Sequence, residues 1–380
     1  MINKKIFVIL YISIFFASLS AQLRIEIKGG LQDPIVVAVV PMKWNLDSPQ
    51  ELFIHEVIKS DLESFGEFKV LPPNNMLSLP ASKEQVFYKD WRLLGTDYLV
   101  IGNVQPANTD KEIEVKYFIF DVTREKTIHS GVVLGPKKTL RSIGHKISDN
   151  IYDRIQGLPG IFSTKLAYID KPSLLDPYYN LMISDLDGHE SLALYSSPEP
   201  LMSPSWSPDM KRIAYVSFED GSSRIYIQNL SNAQRIGLKL EKGINSSPNW
   251  SPNGKKLSAV LSKMGNPDIF IYDLGTSQWS QVTEHFGIDT EPDWSPNSRK
   301  VLFTSNRSGS PQIYEADTRT NKIKRLTFEG TYNARGRYLP NGKAMVFVHR
   351  IDGVFHIATQ NLRTGKVRIL TDTTLDESPT

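Results

Sequence analysis

One short string recurs in the C-terminal half at a fixed interval. Ser203-Pro-Ser-Trp-Ser-Pro-Asp209, Ser247-Pro-Asn-Trp-Ser-Pro-Asn253 and Glu291-Pro-Asp-Trp-Ser-Pro-Asn297 place Trp206, Trp250 and Trp294 44 residues apart. A worn fourth copy has Tyr338 in the aromatic place, followed by Leu339, Pro340, Asn341 and Gly342, and a fifth opens at Glu377-Ser-Pro379. After each turn comes a basic residue or pair and an apolar strand: Lys211 to Val216, Lys255 to Val260, Arg299 to Phe303 and Lys343 to Val348. Second and third apolar stretches follow in every copy, so with the Trp-bearing strand each period holds four short strands. Four strands in about 40–45 residues make a propeller blade. β-branched and aromatic runs broken by Ser-Pro-Asn-Gly turns cannot supply helices of useful length. A weaker earlier blade is visible in Lys165 to Ile169, Leu181 to Ile183 and Leu192 to Tyr195. Residues 161–380 therefore read as an all-β six-bladed β-propeller, with five blades, the start of a sixth, and the last blade truncated. The repeated Trp and Pro are read as packing and turn devices, Trp filling the space between neighbouring blades.

Residues 22–160 show no repeat and alternate in type, which predicts an α/β N-terminal domain. Strands are expected at Leu23 to Ile27, Ile35 to Val40, Phe68 to Leu71, Tyr98 to Ile101, Ile113 to Phe120 and Thr127 to Leu134. A first helix is expected to start at a capping box, Ser48-Pro-Gln-Glu51, and to carry Ile54, Val57, Ile58, Leu62 and Phe65 as far as Gly66. A last helix carries Leu140, Ile143, Ile147, Ile151 and Ile155 on one stripe and stops at Gly157. Gly157-Leu-Pro-Gly160 is read as a compact junction. Residues 1–21 have Lys4 and Lys5, an apolar run from Ile6 to Phe16 and then small residues, the order of a signal peptide cleaved after Ser20 or Ala21. The mature protein is then expected outside the cytoplasm, with no lipid anchor because no Cys follows the apolar run.

A net charge of +3 over 380 residues gives no reason to expect a nucleic-acid partner, and zero cysteines exclude disulfides and thiolate chemistry. No Gly-x-Ser-x-Gly elbow is present, so the serine-hydrolase reading that such propellers invite has no nucleophile. The seven histidines lack zinc-ligand spacing and are read as surface or loop residues. Asp185-Leu-Asp-Gly188 lacks the later ligands of a calcium loop and is read as a turn. No catalytic residue, metal or cofactor is expected.

The layout of signal peptide, small α/β domain and Trp-Ser-Pro-Asp/Asn-Gly blades resembles the TolB family of the Tol-Pal system. Leu23-Arg-Ile-Glu-Ile27, Val39-Val-Pro41, Gly144-His145, Pro200-Leu-Met-Ser-Pro-Ser-Trp-Ser-Pro208 and Leu375-Asp-Glu-Ser-Pro379 carry the resemblance. It implies a periplasmic, non-enzymatic scaffold that binds the peptidoglycan-associated lipoprotein (Pal) through its propeller and the inner-membrane protein TolA through its mature N-terminus. It further implies a monomer that associates only peripherally with the envelope and supports outer-membrane integrity and constriction during division. The fourth copy departs from the pattern, with Gly336 and Tyr338 where the others have Pro and Trp. The alternative is a periplasmic propeller that binds or hydrolyses a small ligand.

Two candidate sites follow. The N-terminal segment Leu23, Arg24, Ile25, Glu26 and Ile27 alternates apolar and charged residues as a strand that adds to a sheet edge should, and it is the expected TolA segment. The lipoprotein is expected on the propeller face formed by the blade-to-blade loops. The loops immediately before each Pro-x-Trp carry Met202, Asn245, Ser246, Thr290, Glu291, Arg335 and Glu377 around the central opening. Asn253 and Asn297 fall on the opposite face.

Overall fold

A computed structural model describes residues 33–107, 112–171, 173, 175–239 and 241–371. The expected signal peptide, the segment Leu23–Ile27 and Glu377 lie outside the described residues.

The N-terminal part is built on β1 (Ile35–Val39), β2 (Lys43–Trp44), β3 (Phe68–Leu71), β4 (Tyr98–Pro106), β5 (Glu112–Asp121) and β6 (Lys126–Pro136). They form a sheet in the order β3-β1-β4-β5-β6, with β2 paired to β4; β1 runs parallel to β3 and β4, and β4, β5 and β6 are antiparallel. Helix α1 (Ile54–Ser64) buries Ile54, Val57, Ile58 and Leu62, an i, i+3, i+4, i+8 stripe. Helix α2 (Tyr88–Leu93) presses Trp91 onto the other face of the sheet beside Leu99, Ile101 and Phe120. Helix α3 (Leu140–Gln156) buries Leu140, Ile143, Ile147 and Ile151 and ends at Gly157, whose φ of 71° is left-handed. Where α3 meets α1, a Cβ on Gly144 would stand 2.9 Å from Val57, so only glycine permits this approach.

The expected capping box is not used. Helix α1 begins six residues later than Ser48, at Ile54, behind Phe53, which offers no capping side chain. The carbonyl of Ser48 instead accepts the indole N–H of Trp44 at 2.7 Å, which holds this stretch against β2 rather than in a helical turn.

The remaining strands form blades. Strands β7 (Lys165–Asp170), β8 (Tyr179–Asp185) and β9 (Leu192–Ser197) make a three-stranded first blade. Four four-stranded blades follow. The second holds β10 (Leu201–Trp206), β11 (Arg212–Ser217), β12 (Arg224–Asn229) and β13 (Arg235–Gly237). The third holds β14 (Asn245–Trp250), β15 (Lys256–Leu261), β16 (Asp268–Asp273) and β17 (Gln278–Gln281). The fourth holds β18 (Asp289–Trp294), β19 (Lys300–Ser305), β20 (Gln312–Asp317) and β21 (Ile323–Arg325). The fifth holds β22 (Tyr332–Tyr338), β23 (Ala344–Ile351), β24 (Val354–Asn361) and β25 (Val367–Ile369). Every pairing within a blade is antiparallel.

The repeated residues do what their chemistry implies. Trp250 is buried among Ala214, Val216 and Ile227 of the preceding blade, and Trp294 among Val260, Ile269 and Ile271. The indole of Trp294 also donates to the Asn249 carbonyl across the seam at 3.1 Å. In the Ser-Pro-Asn turns the Ser251 and Ser295 hydroxyls donate to Asn253 and Asn297 at 2.9 and 2.8 Å. In the fifth blade Tyr338 replaces the indole with a hydroxyl that donates to Glu315 at 2.6 Å.

Candidate protein-binding face and its support

Antiparallel order sends the blade-to-blade loops and the second-to-third-strand loops to one face, and the Ser-Pro-Asn turns to the other. The predicted residues of the first face that fall among the described residues are not in loops. Met202, Asn245, Ser246, Thr290, Glu291 and Arg335 all lie in the first strand of their blades. The reason is a bulge: the register shifts between Met202 and Ser205, Ser246 and Asn249, Thr290 and Asp293, and Ala334 and Arg337. At the bulge Ser203, Ser247, Glu291 and Arg335 take φ values of 51°, 49°, 57° and 54°, one left-handed residue per blade at the same repeat position. The pairing therefore continues past the proline, where sequence alone reads a loop.

These six residues are not equivalent. Asn245 is 2% exposed and donates to the carbonyls of Glu241 and Gly243 at 2.8 and 3.0 Å, so it pins its loop from inside. Asp289 and Asn333 occupy the same repeat position and are also buried. Glu291 joins two blades: its carboxylate accepts the Arg335 backbone N–H and Nε, both at 3.0 Å, and the Thr304 hydroxyl at 2.7 Å. Met202 stands out, 51% exposed.

Loops around this rim carry further apolar side chains that the sequence reading passed over. Phe286, Phe328 and Met264 are 86%, 72% and 71% exposed, and Ile244 and Ile288, one period apart, are each 48% exposed. The signal was present as an apolar residue just before the pinning Asn245 and Asp289. On the opposite face the first residue after each turn is an exposed cation, Lys211, Lys255, Arg299 or Lys343, and Asn253 and Asn297 are exposed beside them.

Beneath the rim, Asp268 and Asp289 are buried together. Burial, and then the charge of Asp289, push the Asp268 carboxyl up to about 6. Arg307 closes on Asp289 at 2.6 Å, and the Asp268 carboxylate accepts the His285 N–H at 3.3 Å.

A second polar cluster ties the helices to the first blade. His145, read from sequence as a surface or loop residue, is 2% exposed; His55 and His349 are likewise buried. Nδ1 of His145 meets Asp61 of α1 at 2.8 Å and its Nε2 stands 3.4 Å from Asp185 at the end of β8. Asp185 is also paired with Lys165 and, at 3.3 Å, with Arg141, whose guanidinium holds Asp187 as well. Burial alone would lower the His145 pKa, but the Asp61 hydrogen bond and charge, with Asp185 and Asp187, raise it. Burial would raise Asp185, and Lys165, His145 and Arg141 outweigh it and lower it. Asp61, His145 and Asp187 lie close enough for a metal ion to be considered. Arg141 already pairs with Asp187 and Nδ1 of His145 already meets Asp61, so these groups are partnered with one another and with a cation, and the set does not fit a resident metal. The segment Asp185–Gly188 is a turn, closed by the Gly188 N–H on the Asp185 carbonyl at 3.0 Å.

Fold and faces together define a β-propeller protein preceded by an α/β domain that is joined to the first blade through buried charges. The model of the TolB beta propeller domain matches residues 152–380, and that of the TolB amino-terminal domain matches residues 23–128. The chain belongs to the TolB family. It is 40% identical over 242 residues to the Tol-Pal system protein TolB of Alcanivorax borkumensis, covering 63% of this chain and 55% of that protein. It is 39% identical over 251 residues to that of Marinomonas sp., covering 64% and 57%. The chain thus spans about half the length of the curated relatives it matches. The crystal structure of TolB from Acinetobacter baumannii superposes with a TM-score of 0.81 at 38% identity, covering 92% of this chain and 85% of that one.

Proposed function

We propose that this protein is a non-enzymatic periplasmic scaffold of the Tol-Pal system. Its propeller face holds the peptidoglycan-associated lipoprotein, and Leu23 to Ile27 hold TolA. The link supports outer-membrane integrity and constriction during division. The carrying observation is chemical asymmetry between the faces: Met202, Met264, Phe286 and Phe328 stand exposed around one rim, while the other carries exposed cations and amides with Met210 among them. Apolar side chains on loops of a rigid scaffold are where protein partners bind. Among the rim residues, Met202, Ser246, Thr290, Glu291 and Arg335 offer side chains to a partner, and Asn245 pins the loop beside them from inside.

Calorimetric titration with the lipoprotein tests the assignment. Thr290→Arg and Met202→Asp should each weaken binding by more than about 1 kcal/mol without lowering the melting temperature. Asn253→Lys and Asn297→Lys should leave binding intact. Equal weakening by both pairs would refute the choice of face. Deleting residues 23–27 should abolish TolA binding and spare the lipoprotein.

The small-ligand reading has one observation in its favour, the raised Asp268 carboxyl next to Asp289. Both groups are buried, at 2% and 0% exposure, and Arg307 covers Asp289, so the pair is closed to a substrate.

A further inference from the structure

His349 and His356 are seven residues apart, too far along one helix or strand to share a ligand. The β23–β24 hairpin, turning at Asp352 and Gly353, makes them direct cross-strand partners. Such partners stand on one face of the sheet with Cβ atoms about 5 Å apart. Each ring is held through Nδ1. Nδ1 of His349 meets Asn333 Oδ1 at 2.7 Å. Asn333 donates its amide nitrogen to Gln312 Oε1 and to the Glu329 carbonyl, both at 2.8 Å, so its oxygen accepts and His349 Nδ1 carries the proton. Nδ1 of His356 meets the Thr371 carbonyl at 3.1 Å, a group that only accepts, so this ring too is protonated at Nδ1.

The two bonds turn the rings in opposite senses. Asn333 lies on β22 and Thr371 follows β25, so β23 and β24 run between these two partners. Each Nδ1 edge faces outward, and the opposite edges, which carry Nε2, turn toward the gap between β23 and β24. With the proton on Nδ1, each Nε2 presents a lone pair. Neither Nε2 has a hydrogen-bond partner among the described residues, and neither is sealed from solvent. Metal-bound imidazoles are oriented in this way, by donating the other ring N–H to an oxygen. Burial lowers the His349 pKa; the charge of Glu329 opposes this and His356 adds to it, so the ring keeps its neutral, ligating form. The same cross-strand positions hold Ser305 and Gln312 in the fourth blade and Leu261 and Asp268 in the third, so the repeat itself does not require two histidines here.

We propose that His349 and His356 bind a divalent transition-metal ion, Zn²⁺ in first place, through their two Nε2 atoms. Water fills the remaining positions, and Glu329, exposed on the adjoining loop, supplies opposite charge. Imidazole nitrogens select such ions over Ca²⁺ and Mg²⁺, which take oxygen ligands. The site is independent of the partner held on the rim.

Calorimetric titration of the whole protein, free of any affinity tag, with ZnCl₂ at neutral pH tests this. One ion should bind per chain. His356→Gln and His349→Ser, which carry the fourth blade's residues at these positions, should each weaken binding more than about tenfold. Asp187→Ala, at the separate cluster around His145, should leave it unchanged. Proton–nitrogen correlation spectra of the imidazole rings give a second measurement on the unmutated protein, valid even if a variant does not fold. Zn²⁺ should shift Nε2 of His349 and His356, and CaCl₂ should shift neither. No saturable binding, full binding in either folded variant, Nε2 shifts confined to other histidines, or an equal response to CaCl₂ would overturn the proposal.

Discussion

Nε2 of His145 stands 3.4 Å from the carboxylate of Asp185, so a helix of the α/β domain reaches the first blade through a buried ion pair. Asp185 also holds Lys165 and Arg141. Removing this one carboxylate strips Lys165 of its partner and Arg141 and His145 of one of their two, at the buried heart of the cluster. Asp185→Ala should therefore destabilise the protein by about 3–5 kcal/mol in urea unfolding at neutral pH. Asp187→Ala, at the more solvated end of the cluster, should cost under about 1 kcal/mol. Similar losses for both would show that the pairing is not what holds the seam.

The same imidazole makes stability depend on pH. Its folded pKa lies above the ordinary 6.5, so protonation favours the folded state. That contribution is complete below the ordinary value and is lost as pH rises past it through the folded value. Asp61, Asp185 and Asp187 favour the charged ring, while Arg141 and Lys165 oppose it. Unfolding free energies measured from pH 6 to pH 9 should fall in the parent protein, and His145→Gln should flatten that slope.

Asp268 acts in a lower window. Its folded pKa, about 6, exceeds the ordinary 3.8, so its neutral form is the better buried one. Stability is fully present below pH 4 and is lost as pH rises through about 6, a loss of about 1–3 kcal/mol. Asp268→Asn should remove this loss and raise the melting temperature at pH 7 relative to the parent. An unchanged profile would mean that the Asp268 carboxyl titrates alike in the folded protein and in the unfolded chain.

Phe286 is the most exposed of the rim aromatics and contributes little to the core. Phe286→Ser should change stability by less than about 0.5 kcal/mol and weaken lipoprotein binding by more than about 1 kcal/mol. Calorimetry on the purified pair separates the two quantities.

The bulge predicts a sharp positional contrast. Ser247 has φ 49°, where a β-branched side chain crowds its own backbone. Ser247→Val should cost about 1–2 kcal/mol, and Ser247→Gly should be neutral or better. Thermal melts of the two variants check this directly.

The blades were legible because each is local: a 44-residue period, a turn and three apolar runs lie within one stretch of chain. The stripe of α3 and its stop at Gly157 were legible for the same reason. What escaped depends on distant partners. The start of α1 moved because Trp44 captures the Ser48 carbonyl. His145 is buried because Asp61 and Asp185, far apart in sequence, converge on it. The candidate rim residues sit in strands because a left-handed bulge carries pairing through the proline, a conformation that Ser203, Glu291 or Arg335 does not announce.

That Tyr338, with a hydroxyl on Glu315, stands where Trp250 and Trp294 pack their indoles against the preceding blade has an evolutionary consequence. Each blade touches its two neighbours, so a seam can be rewritten residue by residue while the rest of the ring keeps its register. Duplicated blades thereby give a lineage several independent niches for trial and error. A new specificity can arise at one seam while the neighbouring seams keep their packing.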